Sequence, residues 1–127
     1  ASTYAADDDH PVKAAVEVAL QEAGWEPPEW YPRLKASMAT WGTVAAATEA
    51  VERGGMHALL VERHEVPFAE LGPTDMVAWR LGLAQCAGFV EALEPADRDR
   101  VVERAVEVLG PDPPPVVRRV IFLAAGR

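Results

Sequence analysis

The stretch RRVIFLAAGR (118–127) holds Val120, Ile121, Phe122 and Leu123 in unbroken succession, three of them β-branched or aromatic. Four apolar residues without alternation read as a strand covered on both faces, well inside a sheet. Every residue of such a strand brings an N–H and a C=O, and each one left buried and unpaired costs about 1–3 kcal/mol. The strand therefore needs neighbours on both edges.

Upstream, only one other stretch has strand character. MHALLVERHEVPF (56–68) is an apolar run that turns into alternation, Val66 and Phe68 against Glu65, and predicts a strand over 57–66 that stops near Pro67. The rest reads as helix. Val12, Ala15, Val16, Ala19, Leu20 and Ala23 repeat at helical spacing behind Pro11, and Gly24 can supply a left-handed cap. WEPPEWYP (25–32) has three prolines and three large aromatics and is expected as a non-helical connector. A helix follows with Leu34, Met38 and Trp41 on one side, then another from Thr43 to Arg53 ending at Gly54-Gly55. Asp75 to Leu93 predicts a single, unusually apolar helix; Pro95 opens the next, with Gly110 behind it, and PDPPP (111–115) is a stiff extended linker. The expected fold is α+β and mostly helical, with two antiparallel strands. Residues 1–10 are expected as a mobile acidic leader and 11–127 as a single domain, comprising helices and connector (11–53), strand (54–68), helical insertion (73–110) and closing strand (116–127).

Composition narrows the function classes. A net charge of -8 argues against a nucleic-acid surface. There is no run of eighteen apolar residues, so no membrane span is expected. The opening ASTYAADDDHP lacks the basic flank and apolar core of a secretory signal. One cysteine, Cys86, allows no internal disulfide and no metal-ligand spacing, which suits a reducing, cytoplasmic compartment.

A helix ending in ERGGM, the strand HALLVERHEVPF, a helical insertion and the last strand RRVIFLAAGR together resemble the C-terminal portion of class I S-adenosylmethionine-dependent methyltransferases. The resemblance implies that 57–66 is the sixth strand of a Rossmann-like sheet. It implies that about 117–125 is the seventh, antiparallel between the fifth and the sixth. The helices at 11–41 and 73–110 would be insertions that roof a substrate pocket. The family binds its cofactor on a Gly-rich turn after the first strand, with an acidic residue ending the second. No position here matches either, and the first five strands have no counterpart in this reading. S-adenosylmethionine is thus expected to be bound by segments absent from this chain, and the chain alone to be inactive. The sheet would be completed by the remainder of the enzyme, by a second subunit or by a second copy.

The residues offer a candidate pocket and little acid–base chemistry. In WRLGLAQCAGF (79–89), Trp79 and Phe89 can form an apolar wall while Arg80 or Gln85 orients an oxygenated substrate. The competing reading makes the aromatics core and lets Arg80 reach a surface carboxylate. Trp41 and Met38 continue the apolar stripe of the second helix and are the best ligand candidates near the aromatic connector, whose other members can simply pin it down. The candidate substrate-binding residues are therefore Trp41, Met38, Trp79, Arg80, Gln85 and Phe89. His64 can serve as a general base or stand exposed at a strand end, where Glu65 points to the opposite face. Cys86 reads as a small core hydrophobe. The expected function is the substrate-roofing portion of a methyltransferase acting on a small organic molecule in secondary metabolism. The alternatives are a stand-alone helical domain that binds a small molecule or oligomerises without catalysis, and a methyltransferase-like scaffold repurposed for cyclisation.

Overall fold

Prolines and caps decide where the helices begin. A computed structural model describes residues 1–68 and 70–127, with six helices and three strands among them: β1 (Ser2–Tyr4), α1 (Pro11–Glu22), α2 (Trp30–Ala39), α3 (Val44–Arg53), β2 (His57–Phe68), α4 (Pro73–Leu81), α5 (Ala84–Ala92), α6 (Pro95–Leu109) and β3 (Val116–Gly126). Pro11, Pro73 and Pro95 each open a helix, where their missing N–H would have had no partner anyway. Thr43 caps α3 by accepting the Ala46 N–H at 3.1 Å. The ends of α1 and α3 share one motif. The Trp25 N–H reaches the Leu20 carbonyl at 2.9 Å and the Met56 N–H reaches that of Val51 at 3.2 Å. This closure needs a left-handed residue just past the helix, and Gly24 (φ +93°) and Gly55 (φ +74°) supply it.

The chain forms two compact units, each assembled from separate stretches. The first comprises residues 1–8, 30–68 and 117–127; the second comprises 9–29 and 69–116. The first holds seven Lys and Arg against six Asp and Glu, the second five against fourteen, so the net negative charge of the chain comes entirely from the second.

The second unit is helical. Val12, Val16, Ala19 and Leu20 of α1 pack with Met76, Val77 and Leu81 of α4, Cys86 of α5, and Val101 and Ala105 of α6. Their spacing of three and four residues puts each set on one stripe. Trp25 completes this core, and its indole N–H donates to the Gln85 carbonyl at 3.1 Å. The single helix expected from Asp75 to Leu93 is two: Gly82 ends α4, and Leu83 (ψ 148°) is extended before α5 starts. Apolar periodicity continues through the break, which is why the sequence pattern hides it.

The first unit contains the sheet, in the order β1-β3-β2 with all neighbours antiparallel. β3 and β2 pair as the sequence predicts. The other edge of β3 is taken by residues expected to lie in the acidic leader: Ser2, Thr3 and Tyr4 face Phe122, Ile121 and Val120. Three residues, STY, carry too little pattern to announce a strand, and only the available edge of β3 makes them one. Coverage of β3 also differs from expectation. Ile121 is 1% exposed, packed with Ala5 and Ala47 and flanked by Trp41 and Val61, whereas Phe122 on the opposite face is 43% exposed. Cross-strand partners share a face, so Tyr4, Val120 and Phe122 lie on the open side. His64 of β2 joins them, its ring edge-on to Phe122 at 5.2 Å. The connector WEPPEWYP is helical at its end, because Trp30, Tyr31 and Pro32 form the first turn of α2, where proline removes no helix bond.

Candidate functional site

Met38 and Trp41 come together in the first unit. Met38 sits near the end of α2, and the chain then turns, the Trp41 N–H bonding the Met38 carbonyl at 3.1 Å. Gly42 fixes the indole's position: its carbonyl accepts the Ala6 N–H at 2.8 Å, and a Cβ there would lie 2.9 Å from that of Ala6. A side chain at 42 would push the turn off the strip that follows β1. The two residues line a depression of about 340 Å³ with Ser37, Thr3, Ile121 and Leu123 among its other walls. No ionisable side chain lines it. The Ser37 hydroxyl donates to the Leu34 carbonyl at 2.8 Å, leaving its oxygen able to accept. Such a site can hold an apolar or aromatic molecule bearing a hydroxyl, and none of its side chains is an acid or base.

Trp79, Arg80, Gln85 and Phe89 belong to the second unit. Trp79 and Arg80 are in the last turns of α4, while Gln85 and Phe89 are in α5. Phe89 packs on the helical core, and the Gln85 main chain is engaged by Trp25. Trp25 is thus a core residue. Trp30 and Tyr31 stack edge to face on α2, with Lys35 over the Tyr31 ring at 5.4 Å. Cys86 is buried, and loss of solvation pushes its thiol pKa up, against a smaller opposing pull from Arg80. His64 is half-exposed and meets Glu62 at 2.9 Å, two residues back on the same strand face. The alternation that rules out Glu65 as its partner is the reason Glu62 can be one.

One constellation in the first unit has no counterpart in the sequence reading. Asp8, with its side chain 8% exposed, accepts from Arg118 Nε at 3.2 Å, from Arg118 Nη2 at 2.6 Å and from the Arg119 N–H at 2.6 Å. The Arg118 guanidinium lies over the Tyr4 ring at 4.1 Å. Asp7 accepts from Arg63 Nη2 at 2.9 Å, and its carbonyl accepts from Arg119 Nη1 at 3.2 Å. The acidic run DDD and the pair RR are visible in sequence, but their junction across more than a hundred residues is not. The network ties the strip after β1 to β3 and β2. It also answers whether that strip fits a nucleotide-type cofactor: no Gly-rich turn follows β1, and both carboxylates are committed to arginines. The strip after β1 therefore does not fit such a cofactor.

Among the described residues no group of three or more His, Cys, Asp or Glu side chains could hold a metal ion, and no helix is long and apolar enough to cross a membrane. Neither a family model nor a curated protein matches this chain.

Proposed function

We propose that this chain is the C-terminal, substrate-roofing portion of a class I S-adenosylmethionine-dependent methyltransferase acting on a small organic molecule of secondary metabolism. The observation that carries the reading is the strand order. β3 runs antiparallel between β2, which precedes it, and β1, which precedes the helices. That is the arrangement the resemblance implies for its last three strands, with β1 standing where the fifth would be. Met38 and Trp41, which line one depression of the first unit, are the side chains we assign to the substrate. The lack of ionisable side chains lining the depression at Met38 and Trp41 suits a transfer that depends mainly on aligning a nucleophile with the methyl donor. The cofactor would be held by polypeptide outside the described residues, and a cytoplasmic location fits the one buried thiol.

Calorimetric titration tests this. The purified 127-residue chain is expected to bind S-adenosylmethionine no tighter than millimolar, and the product of the complete reading frame to bind it in the micromolar range. Failure of that complete product to bind the cofactor would end the reading.

A further inference from the structure

β2 ends the strand order, so among the described residues one row of its backbone N–H and C=O groups has no ladder partner in the sheet. It is twelve residues long, and an edge of that length is a template for another strand. Under the methyltransferase reading β2 is also the terminal strand of the larger sheet, so this edge stays open whether or not that reading holds. We propose that β2 pairs antiparallel with β2 of a second copy of this chain, with Arg63 on the two-fold axis.

The sequence of the strand selects both the occupant and the register. With Arg63 opposite itself, Glu62 faces His64 of the second copy, and Leu60 faces Val66. The two-fold axis makes each pair twice. Residues directly opposite on one face interact favourably when they are opposite in charge or both apolar. Shifting the register by two residues sets Glu62 against Val66 or against the other Glu62 and loses the match. The two Arg63 side chains that meet at the axis are not bare charges. Each is already paired within its own copy, with Asp7 at 2.9 Å and Glu65 at 3.4 Å. Charge distribution favours the same edge, because the sheet unit is close to neutral while the helical unit carries the excess of carboxylates. Two sheet edges that meet therefore bring little net charge together. Pairing also joins the open faces of both sheets, with Leu60, Val66, Phe68 and Phe122 exposed on each, into one continuous surface.

Sedimentation of the chain across the micromolar range, together with single-cysteine cross-linking, tests the proposal. A monomer–dimer equilibrium is expected. His64→Glu sets two pairs of carboxylates opposite each other and is expected to weaken the dimer roughly tenfold. Glu62→Lys/His64→Glu sets opposite charges facing each other in the same register and is expected to recover it. Arg63→Cys is expected to form a disulfide-linked dimer under mild oxidation, since the two Cα atoms face each other across the axis, whereas Leu59→Cys is not. Circular dichroism shows which variants remain folded. A monomer at every concentration would overturn the proposal. So would a dimer indifferent to His64→Glu but dissolved by Phe122→Glu, which would move the interface to the open face. Neither result bears on cofactor binding, so the two readings fail separately.

Discussion

Cys86 shows what burial does to a single side chain. It lies in the helical core, and desolvation disfavours the thiolate, so its pKa is raised relative to an unfolded cysteine. For a group whose folded pKa is raised, the stability contribution is complete below the unfolded value and is lost as pH climbs through the folded one. The second unit is accordingly expected to weaken on the alkaline side of the ordinary thiol range, near pH ~8.5 and above, with no pH dependence from this residue under acid. Reactivity follows the same sign. A disulfide reagent at mildly alkaline pH should label Cys86 at least about a hundredfold more slowly in the native chain than in urea, because attack requires both opening and ionisation. Equal rates would mean the thiol is not in the core.

At the scale of elements, the closures after α1 and α3 make a testable pair of costs. Nothing lies within 4 Å of a Cβ built on Gly55, so Gly55→Ala meets only the backbone penalty of a left-handed residue, about 1–2 kcal/mol. Gly42→Ala has the opposite character. Its backbone needs no special conformation, but the new Cβ meets Ala6 at 2.9 Å, so the turn carrying Trp41 must move. Urea unfolding is expected to show a loss for both variants. Tryptophan fluorescence in the native state should change only for Gly42→Ala. These elements also show what a linear pattern can convey. Helix ends were legible because Pro11, Pro95, Gly24 and Gly110 act through their own backbone, within a turn of where they stand. Strand β1 was not, because Ser2 to Tyr4 become a strand only by pairing with residues at the far end of the chain. The division of α4 from α5 was hidden because Leu81, Leu83 and Cys86 keep the apolar spacing through the break. The candidate site was half legible. Met38 and Trp41 stand out as an apolar stripe, but the Asp8–Arg118 pair depends on a fold that had first to bring them together.

For the whole molecule, the distribution of charge and core between two units has consequences for how it comes apart. The helical unit draws its core from α1, α4, α5 and α6, whose stripes are long and closely spaced. The sheet unit has a thinner core in Ala5, Ala47, Val51 and Ile121, and α2 buries none of its residues. Thermal unfolding is therefore expected in two steps. Hydrogen exchange should show the amides of α2 and β2 opening at lower free energy than those of α1 and α6. A single cooperative transition with uniform protection would show that the units unfold as one.

The pairing of β1 with β3 sets a schedule for synthesis. Ser2 is among the early residues of this stretch to leave the ribosome and its partner Phe122 among the late ones. Until β3 emerges, β1 has no neighbour, and the sheet must wait as loose polypeptide. The helical unit needs no such delay. All but the final Val116 of its buried set has been made before translation reaches the closing strand. The nascent chain thus has its four core helices made first, and its sheet is completed only when the closing strand slides between two segments made long before. Ribosome stalling just short of that strand would catch a half-finished molecule with its apolar sheet residues unpaired, the state in which chaperones have most to bind.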